Sequence, residues 1–148
     1  MTLSVFTDGG SRGNPGPASI GFVAHLGDKQ IFSHHETIGI ATNNVAEYTA
    51  IIRAFEMLSP KLGEWDVDII NFKSDSRLLV EQLSGRFKVK TPHIKELFNQ
   101  AKILERIVNI PVYYNWVKRS DNVHADSLVN KAHDETVNTS LGRFDGRE

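Results

Sequence analysis

The order in which β-type and helical patterns follow one another is the feature that most constrains the fold of this chain. Three runs of alternating apolar and polar residues come first, at 3–8, 18–26 and 30–40. Helical and β-type segments then alternate, with strands at 67–74 and 111–118 and helices that begin near residues 42, 76, 91 and 121. Periods of two and of 3.6 residues distinguish the two kinds of segment.

The connections between these segments predict the topology. Gly27-Asp28 is a hairpin-type pair, so the first three strands are expected to form an antiparallel meander. The later strands are separated by helices, and strands joined by a helical crossover run parallel in one sheet. We therefore expect an α/β fold with a five-stranded mixed sheet flanked by helices.

Length and composition indicate one globular domain. The chain has 148 residues, of which 40% are hydrophobic, and this is enough for a substantial core. It has no cysteine, which excludes disulfides and thiolate metal sites, and it has neither a membrane-spanning apolar run nor a signal-peptide pattern. We expect a cytoplasmic monomer that does not bind membranes, with a folded domain at 1–135 and a loose polar tail at 136–148.

Charge is distributed unevenly along the chain. The net charge is −1, but residues 84–119 contain eight Lys and Arg against two acids, and residues 36–75 contain seven acids against three bases. An acidic part beside a basic part favours a polyanionic partner bound together with cations. The alternative is that these charges only solvate surface helices.

Four carboxylates fall near the ends of predicted elements. Asp8 ends the first strand, Glu47 lies in the first turn of the first helix, Asp75 follows the fourth strand and Asp126 begins the last helix. Strand ends and the helix starts that follow them line the ligand crevice of open α/β sheets. Carboxylates gathered there would repel one another, and two Mg²⁺ ions would relieve this repulsion. Taken singly, each acid has a simpler explanation: a turn for Asp8, a capping box for Glu47, and favourable helix-start charges for Asp75 and Asp126.

The glycine-rich segment TDGGSRGNPGP follows the first strand. Its glycines have the spacing Gly10-x-x-Gly13-x-x-Gly16, and prolines lead into a β-type run where a dinucleotide-binding motif would begin a helix. No H-E-x-x-H spacing is present to indicate a zinc hydrolase. Dinucleotide binding and zinc hydrolysis are therefore disfavoured.

Four blocks of the sequence resemble ribonuclease H, type I: TDGGSRGNPGPA, TNNVAEYTAII, SDSRLLVEQL and WVKRSDNVHADSLVN. The similarity covers about residues 1–133 and is strongest to the compact branch found in archaea and many bacteria. It implies a ribonuclease H-like fold and a catalytic domain at 1–135. It also implies endonucleolytic hydrolysis of the RNA strand of RNA–DNA hybrids, with 5′-phosphate and 3′-hydroxyl products and two Mg²⁺ (or Mn²⁺) ions. The catalytic, metal-binding tetrad of the family falls on Asp8, Glu47, Asp75 and Asp126.

The resemblance also implies substrate contacts. The residues concerned are glycines that admit the RNA backbone, polar side chains for sugars and base edges, and one arginine: Gly9, Gly10, Ser11, Asn14, Thr42, Asn43, Asn44 and Arg77. Arg12 is a weaker candidate for the same role.

Two departures from the family pattern affect substrate binding and proton transfer. The basic protrusion of larger bacterial members is missing, and only the segment SGRFKVKT at 84–91 stands in its place, with Arg86 and Lys88 as substrate contacts. Many members have a Gly-His loop before the last aspartate. Here Arg119 is the first candidate for that role, and we expect His124 to be a solvated helix-start residue facing away from Asp126.

Two other functions remain open at this point. A non-catalytic hybrid-binding module could share the fold, although unneeded carboxylates would repel phosphate in it. Another nuclease of the superfamily, such as a Holliday-junction resolvase or an exonuclease, is the second alternative.

Overall fold

One mixed sheet with helices on both faces forms the fold. The computed structural model describes the backbone of residues 1–146 and the side chains of residues 1–135. The strands lie in the order β3-β2-β1-β4-β5, with bounds β1 Thr2–Ser11, β2 Gly16–Leu26, β3 Lys29–Ala41, β4 Ile69–Ser74 and β5 Val112–Trp116. The α-helices of the described backbone are α1 Asn43–Leu58, α2 Arg77–Leu83, α3 Pro92–Val108 and α4 Val123–Gly146.

The strand pairing confirms the predicted topology. β1, β2 and β3 form an antiparallel meander, and β4 pairs parallel with both β1 and β5. β1 is longer than expected because its ladder with β2 continues beyond Asp8 to Ser11, which pairs with Ala18. Asp8 therefore lies within a strand and does not end it.

Helices α1, α2 and α3 enclose the main core on one face of the sheet. On α1, Tyr48, Ile52 and Phe55 recur at helical spacing and are buried. On the sheet, Phe72 packs edge-on against Phe55 with ring centroids 5.0 Å apart and stacks on Tyr114 at 5.5 Å. On α3, five residues at helical spacing also pack against this core: Ile94, Leu97, Ala101, Leu104 and Val108. Burying one such large apolar side chain contributes about 1.5–3 kcal/mol.

Helix α4 covers the opposite face, over β1, β2 and β3. Its Ala125, Val129 and Ala132, which recur at helical spacing, are buried. Gly21 on β2 permits the close approach, because a Cβ at this position would lie 2.6 Å from Cβ of Leu128 and 2.9 Å from the carbonyl oxygen of Ala125. The helix therefore rests almost directly on the backbone of β2.

The length of α4 differs from the expectation of a loose tail from residue 136. The described backbone is helical to Gly146, and residues 136–141 contain no proline or glycine that would interrupt the helical hydrogen bonds. Residues 147 and 148 lie outside the described part, and the division into a domain at 1–135 and a tail stays a prediction. Among the described residues, no helix combines the length and apolar character needed to cross a membrane.

Candidate active site

Three of the four predicted carboxylates meet at one point. Asp8, Glu47 and Asp75 each place one carboxylate oxygen within 4.8 Å of the other two. Asp8 and Asp75 come together because β1 and β4 are parallel neighbours, and Asp75 directly follows β4. Glu47 joins them from the N-terminal part of α1.

Asp126 borders this group from the other face of the sheet. It lies in the first turn of α4, and its negative charge contributes to raising the pKa of Asp8 and of Asp75. Its oxygens are not among those within 4.8 Å of one another. The structure thus brings three carboxylates together and places the fourth beside Asp8.

Gly9 allows α1 to approach β1. A Cβ on Gly9 would clash with the backbone of Ala46 and would lie 2.8 Å from the Glu47 nitrogen. Without that Cβ, the Gly9 amide donates a hydrogen bond to Oε1 of Glu47 at 3.1 Å. Gly9 is therefore needed for packing of the site itself, in addition to any contact with a ligand. Gly10 is less constrained, because the nearest atom to a Cβ at this position would be Oδ1 of Asn43, 3.9 Å away.

The structure shows that neither Glu47 nor Asp75 caps a helix. The N-cap of α1 is Thr42, whose hydroxyl accepts from the Val45 amide at 3.3 Å, so Glu47 lies too far along the helix for a capping box. The N-cap of α2 is Ser76, whose hydroxyl accepts from the Leu79 amide. Neither acid is therefore engaged in capping a helix, and both lie in the cluster with Asp8.

Burial and mutual repulsion raise the pKa of the grouped acids. Burial, followed by the charges of Asp75 and Asp126, raises the pKa of Asp8 from 3.8 to about 8. Burial, followed by the charges of Asp8 and Asp75, raises the pKa of Glu47 well above its usual value. Burial also raises the pKa of Asp75, against the opposing charge of Arg119. Bound cations would stabilise the ionised forms of these acids, and carboxylate oxygens are the donors that Mg²⁺ prefers.

Arg119 lies beside Asp75, at the edge of the cluster of acids. Its Nε is 3.8 Å from Oδ2 of Asp75, and its side chain is 88% exposed while that of Asp75 is 12% exposed. The guanidinium can therefore reach a ligand in front of the carboxylates. His124, by contrast, is exposed and lines a separate cavity of about 200 Å³ with Phe6 and His25. The expectation that His124 faces away from Asp126 agrees with this placement.

The predicted substrate contacts at the glycine-rich segment and the start of α1 form one hydrogen-bonded unit. Oδ1 of Asn43 accepts from the Ser11 amide at 2.9 Å and from its hydroxyl at 3.2 Å. The Asn43 amide in turn donates to Oδ1 of Asn14 at 3.0 Å. Asn43 and Asn44 are exposed. This unit adjoins the carboxylates, because Gly9 and Glu47 are hydrogen-bonded to each other.

The other predicted contacts, Arg77, Arg86 and Lys88, lie on α2 and in the segment that follows it. Arg77, at the start of α2, lies over the ring of Trp116 at 5.5 Å. Arg86 is exposed and donates to Glu81, with Nε 2.9 Å from Oε1. Lys88 is exposed, and its carbonyl accepts from the buried Gln82.

Two residues near the site have roles that the sequence alone did not indicate. The alternation of β5 places Trp116 on the same face as Tyr114. Tyr114 is buried but Trp116 is 46% exposed, because it ends the edge strand, where Arg77 covers only part of it. Asn122 is buried, and its Nδ2 donates to the Thr7 carbonyl at 2.9 Å. Its own carbonyl accepts from the Asp126 amide at 3.1 Å. Asn122 therefore fastens the start of α4 beside Asp8. The position of Asn122 just before a helix is the sequence feature that could have indicated this role.

Comparison with known proteins identifies the family. A family model described as RNase H matches residues 1–137. The chain belongs to the RNase H family. It is 37% identical to ribonuclease HI of Halobacterium salinarum over 138 residues, which is 90% of this chain and 65% of that protein.

Two further relatives extend the comparison. A bifunctional protein of Mycobacterium tuberculosis is 40% identical over 150 residues, covering 98% of this chain. The chain spans only 39% of the length of that relative. Among solved structures, LC11-RNase H1 in complex with an RNA/DNA hybrid superimposes with a TM-score of 0.85 and is 39% identical, covering 91% of this chain and 99% of its own. The expected ribonuclease H-like fold is confirmed.

Proposed function

We propose that this chain is an endonuclease that hydrolyses the RNA strand of RNA–DNA hybrids and leaves 5′-phosphate and 3′-hydroxyl ends. The observation that carries the proposal is the meeting of Asp8, Glu47 and Asp75 within 4.8 Å. Membership of the RNase H family and the similarity to a structure bound to a hybrid support it. Action as a monomer in the cytoplasm is part of the proposal and rests on the sequence.

Asp8, Glu47, Asp75 and Asp126 are the proposed holders of two Mg²⁺ ions, with Mn²⁺ as a substitute. When bound, the ions would supply a water-derived nucleophile and neutralise charge that develops on the phosphate. The high pKa of metal-free Asp8, about 8, means that loading the site displaces a proton from the group at neutral pH. Arg119, exposed beside Asp75, would contact the phosphate in front of the carboxylates.

The remaining predicted contacts have proposed roles in holding the hybrid. The strand edge at Gly9, Gly10 and Ser11 and the amides of Asn14, Asn43 and Asn44 form a polar surface that would contact the minor groove, where the 2′-hydroxyl distinguishes RNA from DNA. Thr42 and Arg77 would contact backbone phosphates. Arg86 and Lys88 would add sequence-independent, salt-sensitive contacts.

The decisive experiment is incubation with an end-labelled hybrid, with and without Mg²⁺. Matched DNA–DNA and RNA–RNA duplexes serve as controls for strand choice, and Asp75→Asn serves as the matched inactive variant. We expect internal cleavage of the RNA strand only when Mg²⁺ is present, with a loss of at least roughly a thousandfold in Asp75→Asn. Hybrid binding without cleavage by the wild type would instead establish a non-catalytic binding module.

A further inference from the structure

Three consecutive residues of α4 fasten this helix to the meander, and we call them the α4 latch: His133, Asp134 and Glu135. Nδ1 of His133 lies 3.0 Å from the hydroxyl of Ser19 on β2. Oδ1 of Asp134 accepts from Nη2 of Arg12 at 2.9 Å, in the turn that follows β1. Oε1 of Glu135 lies 2.8 Å from Nε2 of His35 on β3.

Of the three latch contacts, the hydrogen bond between His133 and Ser19 should contribute most to the free energy of folding. His133 is 6% exposed and Ser19 is fully buried, whereas Arg12 and Asp134 are 47% and 63% exposed. Exposed ion pairs contribute little, but a buried polar group costs free energy unless it is hydrogen-bonded. Burial lowers the pKa of His133, and the nearby backbone of Gly10 opposes that lowering.

The latch lies directly beneath the proposed substrate surface. Ser19 is the ladder partner of Gly10, just as Gly21 is the partner of Asp8. His133 follows Asp126 by seven residues, so the two side chains project from the same face of α4, about 10 Å apart along its axis. One face of α4 therefore carries Asp126 beside Asp8 and His133 against Ser19, the ladder partner of Gly10.

The glycine-rich segment at 10–14 is held from two sides. On the α1 side, Asn43 bonds to Ser11 and Asn14. On the α4 side, His133 and Asp134 hold Ser19 and Arg12. The hydrogen-bond partners of His133 and Asp134 are Ser19 and Arg12 and not the clustered acids Asp8, Glu47 and Asp75, so we assign the two residues no direct part in the proposed chemistry.

We infer that His133, assisted by Asp134, is a positioning residue that fixes the 10–14 segment in the conformation that receives the RNA strand. This inference rests on the proposed function. It assigns to the latch an effect on hybrid binding and none on metal loading or on the chemical step. A preformed segment would bind the hybrid without first losing its own conformational freedom.

The test compares His133→Ala, His133→Asn and Asp134→Ala with the wild type. Asn can place an amide near the position of Nδ1 and thus keep a hydrogen bond to Ser19. Lys131→Ala, an exposed substitution on the same helix outside the latch, is the matched control. We expect His133→Ala to raise KM for the hybrid roughly three- to tenfold with kcat within about twofold, since one or two hydrogen bonds are lost. In His133→Asn, KM should stay close to the wild-type value. In Asp134→Ala, KM should rise by up to about threefold.

Two measurements on the free protein complete the test. Hydrogen–deuterium exchange of the peptide covering 9–14 should be faster in His133→Ala and Asp134→Ala and unchanged in Lys131→Ala. The increase in melting temperature on addition of Mg²⁺ should equal that of the wild type. A fall in kcat at constant KM, a lost Mg²⁺ response or unchanged exchange at 9–14 would overturn the inference.

The inference and the proposed function fail in different ways. If the wild type does not cleave hybrids, the proposed function fails, while exchange at 9–14 and the Kd for an uncleaved hybrid still test the latch. If His133→Ala does not fold, Asp134→Ala and Ser19→Ala supply the same readouts. If the wild type cleaves and all variants match it in KM, the latch has no role in binding.

Discussion

Replacing Asp8 by asparagine should make the metal-free protein more stable at alkaline pH. Asp8 has a pKa of about 8 instead of 3.8, chiefly through burial and then through the charges of Asp75 and Asp126. Because the folded state holds this proton more tightly than the unfolded state, the stability it contributes is complete below about pH 4. It is lost as the pH rises to about 8. Asparagine carries no charge at any pH in this range and avoids that loss.

The magnitude follows from the pKa difference. A difference of about four units, at about 1.4 kcal/mol per unit, sets an upper limit of about 6 kcal/mol for the cost of ionised Asp8 at pH 9. A buried asparagine amide that lacks partners costs about 1–3 kcal/mol. We therefore expect a net gain of up to about 3–5 kcal/mol, where each kcal/mol corresponds to roughly 4 °C in melting temperature for a domain of this size.

The assay is thermal and urea unfolding in EDTA at pH 5, 7 and 9, for the wild type and Asp8→Asn. Glu64→Gln, which neutralises an exposed acid, controls for the change in net charge. The gain of Asp8→Asn should grow from pH 5 to pH 9, and saturating Mg²⁺ should stabilise the wild type more than the variant. A gain that is constant with pH, or an Asp8→Asn protein less stable than the wild type at pH 9, would refute the electrostatic account of this site.

Three further predictions concern single parts of the site. Arg119→Ala should lower kcat on a hybrid about tenfold or more, and His124→Ala should lower it less than twofold, because of the two residues only Arg119 lies beside the carboxylates. Steady-state kinetics that rank the two variants the other way would transfer the role to His124. Arg86→Ala combined with Lys88→Ala should weaken hybrid binding and reduce the slope of log Kd against log salt by about one to two, whereas an unchanged slope would remove 84–91 from the binding surface. Gly9→Ala should lower the free energy of unfolding in urea by about 1–3 kcal/mol, because its Cβ would clash with the backbone of α1; a neutral effect would show that α1 can move away from β1.

Element order and the carboxylate positions could be predicted because both depend on local signals. The apolar stripe of α1 and the hairpin at Gly27 follow from periodicity and turn chemistry. The convergence of Asp8 and Asp75 follows from the parallel pairing of β1 with β4, which the helical connections imply. These features do not depend on the rotamers of individual side chains.

Features that depend on contacts between distant elements could not be predicted. The hydrogen bond from Gly9 to Glu47 spans 38 residues, and no periodicity reports it. The exposure of Trp116 follows from its place at the end of an edge strand, and this depends on the strand order of the whole sheet. The His133–Ser19 pair spans 114 residues and exists only because α4 crosses β2 at Gly21.

The acids cluster around Asp8 because two helices approach the same pair of strands from opposite faces of the sheet. Gly9 lets α1 approach on one side and brings Glu47, while Gly21, the ladder partner of Asp8, lets α4 approach on the other and brings Asp126. Side chains alternate along a strand, so adjacent positions on β1 serve the two faces. Asp8 thus lies where both helices are closest to the sheet, and the same proximity that buries it produces the repulsion that bound cations would relieve.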